Sequence, residues 1–161
     1  MAQKKRALVL GCGGVAGGAW TIAAMQEVEK QLGWPLHKAD YFIGTSVGAV
    51  LVTLLSQGIT VEQLVACQQG TSNHCHWNHE VDSGGALPPL PRWRFNSANL
   101  LRMGLRGKVS TLSAVMGAFP QGQADMSGFI RLVNSVVPRG EWSHHPNTWL
   151  MAVEAETGKR V

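Results

Sequence analysis

The chain has 161 residues, 45% of them apolar and 15% charged, which fits one domain with a real core and excludes an intrinsically disordered chain. Its formal net charge of +4 is a mild basic excess, and no arginine-rich run or stacking-aromatic pattern supports nucleic acid as a partner. No stretch approaches the roughly 18 uninterrupted apolar residues of a membrane span. Three cysteines, Cys12, Cys67 and Cys75, read as reduced thiols of a cytoplasmic protein.

Lys4-Lys5-Arg6 before Ala7-Leu8-Val9-Leu10 imitates a signal peptide, but the apolar run breaks into glycines and reads as a first buried strand. Gly11 to Gly18 reads as a glycine-rich turn, and a helix follows from about Ala19 to Gln31, ended by Gly33 and Pro35. Tyr41-Phe42-Ile43 reads as a second strand, and Ala49 to Leu55, apolar on all sides, as a buried helix. The order β-α-β-α predicts a parallel sheet with crossover helices. Thr60-Val61-Glu62-Gln63 is a capping box, and Gly70 closes its helix. Thr71 to Pro91 reads as a long loop. Asn96-Ser97 caps a helix from Ala98 to about Arg106, and two further helices are expected near Leu112–Phe119 and Ser127–Val137. Thr148 to Val153 reads as a strand and Glu156 to Lys159 as a turn into Arg160-Val161, a hairpin so short that the chain is expected to be a fragment.

Between the second strand and the buried helix stands Gly44-Thr45-Ser46-Val47-Gly48, a G-x-S-x-G turn. Such a turn lifts the serine clear of the sheet, with glycines where side chains would clash, and aims the next helix's N-terminus at its oxygen. Ser46 is therefore the candidate nucleophile. The first glycine turn has two readings. Gly11-x-Gly13-x-x-Ala16 satisfies a loose dinucleotide fingerprint, but that fingerprint wants an acid after the second strand, and Asp40 lies before it. The alternative is an oxyanion loop whose bare N–H groups face the serine from a neighbouring strand end.

Leu8-Val9-Leu10-Gly11-Cys12-Gly13-Gly14-Val15-Ala16-Gly17, a helix, and Gly44-Thr45-Ser46-Val47-Gly48-Ala49 resemble the patatin-like phospholipases. Thr148 to Gly158 is similar to a late strand of that domain with its Thr-Gly turn. The resemblance implies a three-layer α/β/α fold, with residues 1–161 as the N-terminal part of one domain. It implies a Ser–Asp dyad without histidine, a lipid or acyl-ester substrate, peripheral membrane contact and no cofactor. Carried over, Ser46 attacks the ester, Gly13, Gly14 and the N–H of Val47 hold the oxyanion, and Gly11, Cys12, Gly17, Gly44 and Gly48 complete the motifs. Cys12 stands at the first glycine of the family's G-x-G-x-x-G loop, and Ala16 replaces its usual Arg or Lys, leaving backbone N–H groups alone. The family's aspartate sits in an Asp-Gly-Gly or Asp-Gly-Ala motif expected beyond residue 161.

Asp82-Ser83-Gly84-Gly85 imitates that motif with an inserted serine and reads as a solvated turn. The order Ser46, Asp125, His144 or His145 suits an α/β-hydrolase triad, although Asp125 also reads as a helix cap. His74-Cys75-His76-x-x-His79 matches no trusted zinc spacing and reads as a polar loop without metal, and Cys12 reads as a small filler. Arg92-Trp93-Arg94-Phe95 and Leu100 to Lys108 mix cations with apolar groups, so 71–110 is either a lid or lipid entrance or a solvated helix with one core face. The rival functions are a nucleotide- or lipid-binding module without turnover and a Ser-Asp-His esterase.

Overall fold

The structure, a computed structural model, describes residues 4–75, 77–82, 97–120 and 124–161, with only the backbone of His79 and Glu80. They fall into two compact units, Met1–Gly85 with Met126–Met151, and Ala86–Asp125 with Ala152–Val161. Arg92 to Phe95 and His76 lie outside the described residues.

The first unit holds a parallel sheet of β1 (Ala7–Leu10), β2 (Tyr41–Thr45) and β3 (Thr148–Met151), in the order β1-β2-β3. Its helices are α1 (Gly14–Leu32), α2 (Val47–Ser56), α3 (Val61–Gln68), α4 (His79–Asp82) and α7 (Ser127–Asn134). Register sorts the strand side chains into two faces. Leu8, Phe42 and Thr148 align, as do Leu10, Gly44 and Leu150, and this face lies on the helical core. There Phe42, Val52, Leu54, Leu55, Val61 and Leu64 are fully buried. The other face carries Val9, 64% exposed, with Trp149 and Met151 also exposed and Tyr41 stacked on Trp149 at 5.8 Å. Successive neighbouring strands joined by right-handed crossovers place their helices on one side of a sheet. Of the three expected layers, the described residues of this unit accordingly supply the sheet and one helical layer.

Some boundaries differ from expectation. The first helix starts at Gly14, not Ala19, so the glycine turn is only Gly11 to Gly13. Gly17 and Gly18 are helical because tertiary contact, not turn geometry, demands one of them: a Cβ on Gly18 would stand 2.7 Å from Val47 Cγ2. The capping box forms in both directions, Gln63 N–H to Thr60 Oγ1 at 3.1 Å and Thr60 N–H to Gln63 Oε1 at 2.9 Å. The stretch read as one long loop contains α4.

The second unit is built on α5 (Ala98–Leu105) and α6 (Thr111–Ala118). Ser97 and Ser110 cap them, accepting from Leu100 N–H and Ser113 N–H, each at 3.2 Å. The expected terminal hairpin closes with two backbone bonds between Ala152 and Val161, at 2.8 and 2.9 Å.

Candidate active site

Ser46 stands between the last residue of β2 and the first of α2, at φ 58° and ψ −129°. It is the sole non-glycine residue at positive φ among those described. A side chain held in such a region costs on the order of 1–3 kcal/mol, and a fold keeps it only where the surroundings over-determine it. Those surroundings are glycines. A Cβ on Gly44 would lie 2.5 Å from the Gly48 carbonyl oxygen and 2.6 Å from Ala49 Cα. A Cβ on Gly48 would lie 2.5 Å from the Gly11 carbonyl oxygen and closer still to that of Leu10. The elbow is thus pressed flat against α2 on one side and against the end of β1 on the other.

The serine is exposed, and its hydroxyl does not cap α2. Its carbonyl oxygen accepts from Ala49 N–H at 2.9 Å, which starts the helix. A helix leaves its first N–H groups without intrahelical acceptors, and its dipole end is positive there. The same holds for α1, which opens at Gly13 and Gly14. Both N-termini reach one cleft of about 400 Å³, lined by Gly14, Val15, Ser46, Val47, Val50, Met126 and Phe129. The structure therefore brings the first-loop Gly14 beside Ser46 and Val47. Gly14 takes φ +59°, a conformation that side chains rarely adopt. Gly11 and Cys12 are exposed in the loop, and Gly17 lies one helical turn in, its N–H donating to Gly13 at 2.9 Å.

A second cavity of about 40 Å³ shares Val15, Val47, Val50 and Phe129 with the cleft and continues among Ile22, Leu54, Leu64, Trp77 and Leu132. Its walls are apolar, and Trp77 packs on Phe129 with ring centroids 5.0 Å apart. Nothing in the local sequence pattern points to Met126, Phe129 or Trp77 at the site, because they reach it from the start of α7 and from the stretch before α4.

The triad reading fails on topology. His145 packs edge-on against Phe42 at 4.9 Å, and His144 Nδ1 lies 3.0 Å from Gln57 Oε1, beyond the far end of α2. Ten helical residues at 1.5 Å each separate that end from Ser46 by roughly 15 Å. Both histidines precede β3, at the opposite end of the sheet from the elbow. Asp125 belongs to the second unit, and α7 opens with Met126 at its cap position.

Asp82 is not a solvated turn residue. It is buried, accepts from Asn78 N–H at 2.9 Å and pairs with Arg131 of α7, while Gly128 gives α7 the room to approach. The Asn78 N–H and the Arg131 guanidinium hold its carboxyl below the ordinary 3.8. Its contribution to stability is therefore complete above that value and is lost as pH falls through the lowered one. Asp82→Ala is expected to destabilise the protein by about 1–3 kcal/mol at pH 7. Urea titrations should show that difference shrinking below about pH 4, and a pH-independent difference would contradict this role.

His74 is exposed, whereas Cys75 is buried with its N–H on Ser72 Oγ at 3.3 Å. Cys75 and Cys67 are free thiols, and their mutual hydrogen bond together with burial pushes the Cys67 thiol up. No cluster of metal-ligating side chains occurs among the described residues. No described helix is long and apolar enough to cross a membrane. Among the described residues, no side chain is hydrogen-bonded to Ser46 Oγ.

A curated cUMP-AMP-activated phospholipase of Escherichia coli is 42% identical over 55 residues, which are 34% of this chain and 17% of that protein. The chain thus spans well under two thirds of that relative's length. No solved structure matches. A family model described as patatin-like phospholipase matches residues 8–115, from the first strand through the elbow to α6. That match runs over more than half of the sequence and takes in both glycine turns, so the chain belongs to the patatin-like phospholipase family.

Proposed function

We propose that the protein is a serine acyl hydrolase cleaving a fatty-acyl ester of a phospholipid or neutral lipid, with Ser46 as nucleophile. The observation that carries this reading is the strained, uncapped Ser46 at the N-terminus of α2. Ser46 Oγ attacks the ester carbonyl and forms an acyl-enzyme, and the alcohol leaves. The oxyanion is held by the N–H groups of Val47, Gly13 and Gly14, two helix N-termini acting on one oxygen. Water then releases the fatty acid. The proton of Ser46 passes by way of a carboxylate to the departing alkoxide, following the Ser–Asp dyad that the resemblance implies. No Asp-Gly pair occurs in these 161 residues, so that base is assigned to the whole protein. A fluorophosphonate is expected to label Ser46 and to leave Ser46→Ala unlabelled; equal labelling of both proteins would overturn the proposal.

The apolar cleft suits an acyl chain. Its volume of about 400 Å³ is within the ordinary range of ligand sites, and the smaller cavity extends it along Phe129. Phe129→Ala joins the two spaces. It is expected to raise the kcat/KM ratio of p-nitrophenyl dodecanoate to butyrate by about ten-fold. The ratio is independent of the folded fraction, and an unchanged value would remove Phe129 from the acyl site.

A further inference from the structure

We infer that the α5–α6 hairpin docks on the surface of an anionic lipid bilayer. The inference comes from the way α6 is turned. A helix in water faces its large apolar side chains inward and its small or polar ones outward. The other arrangement holds in α6. Its inward side chains are small: Ala114 meets Gly104 of α5 so closely that a Cβ there would collide with it. Gly117 sits where a Cβ would be 2.7 Å from the Ser97 carbonyl oxygen, and Ser113 lies against Gly158. Its outward side chains are Leu112, Val115 and Met116, spaced i, i+3, i+4 on one face, and Phe119 follows at its C-terminal cap; all four are exposed. Leu105, at the end of α5, is 91% exposed.

Charge decides between a lipid surface and a second apolar protein face. From Ser97 to Phe119 the hairpin carries Arg102, Arg106 and Lys108 and no carboxylate, and all three cations are exposed. In the same unit, Asp125, Glu154 and Glu156 are set against Lys159 and Arg160, and with the hairpin's three cations the unit stays net positive. Glu154 borders the groove beside Leu112 and Met116, but the hairpin itself joins its apolar stripe to three cations and no carboxylate, the composition of an element that lies in the headgroup layer of anionic membranes. The surface is independent of the Ser46 chemistry, so Ser46→Ala binds like the wild type.

The test is co-sedimentation of the full chain with vesicles of phosphatidylcholine alone and with about one-third phosphatidylglycerol. Binding is expected to the mixed vesicles only and to fall with added salt. Replacing Arg102, Arg106 and Lys108 together by Gln should weaken it by about 100-fold. The pair Leu112→Ser and Phe119→Ser should weaken it by at least about ten-fold. These exposed positions leave the fold intact, which thermal unfolding checks. Equal binding to both vesicle types, unchanged binding of either variant, or no binding at all would overturn the inference. So would a wild-type dimer that the Leu112/Phe119 variant turns into a monomer, since the face would then belong to a second copy of the chain.

Discussion

Replacing Ser46 by glycine is expected to raise the melting temperature while abolishing fluorophosphonate labelling. At φ 58° and ψ −129° a Cβ is strained, by on the order of 1–3 kcal/mol. Glycine relieves that strain and gives back roughly 0.5–1 kcal/mol through the freer unfolded chain. The net gain of about 1 kcal/mol moves the melting temperature by roughly 2–4 °C in a protein of this size. Ser46→Ala keeps the Cβ and removes only the hydroxyl, so its stability stays near the wild-type value. Both variants should lower kcat/KM for an acyl ester by at least about 1,000-fold. Thermal unfolding followed by circular dichroism separates the two. A Ser46→Gly protein that melts below Ser46→Ala would show that the elbow is not strained.

Gly48→Ala should do the opposite and destabilise the protein by more than about 3 kcal/mol. The added methyl group would press on the carbonyl oxygens of Leu10 and Gly11, which are backbone atoms at the end of β1 and cannot rotate away. To make room, α2 must slide off the sheet. That movement takes Val47 with it, and Val47 is the residue packed on Gly18 of α1. One methyl group thus separates the serine from the Gly14 end of α1 with which it shares the cleft. Gly17→Ala is the control. It has open space around its Cβ and lies within a helix, so it should gain up to about 1 kcal/mol. Denaturant midpoints of the two variants on opposite sides of the wild type are the expected result. Matching midpoints would mean that the contact between β1 and α2 is loose.

What sequence made visible was local. The strand–turn–helix around Ser46, the Thr60 capping box and the Ser97 cap each depend on residues within a few positions of one another, and all three form. What it hid was set across the chain. Gly18 looked like part of a turn because its partner, Val47, is 29 positions away, and only that contact explains a glycine inside α1. Asp82 looked solvated because Arg131, which pairs with it, lies 49 positions downstream. His144 and His145 stand in the right order for a triad, but order along the chain does not say at which end of a sheet a loop lies. In α6 the pattern marked a helix without saying which way its apolar side chains turn, which depends on Gly104 and Gly158. The cleft was invisible for the same reason, since Phe129 and Ser46 come together only in the folded unit.

The position of β2 between two partners has a consequence for motion. It is hydrogen-bonded to β1 on one side and β3 on the other, whereas β1 has no second neighbour among the described residues. Amide exchange in a sheet follows such pairing, with doubly bonded strands opening only near the global unfolding free energy and edge strands fraying well below it. Ser46 thus follows the strand with two partners and the first glycine turn follows one with a single partner among the described residues, so β2 amides are expected to exchange more slowly than those of β1. Under the proposed mechanism, such fluctuation alters how many N–H groups meet the oxyanion, while the nucleophile keeps its place.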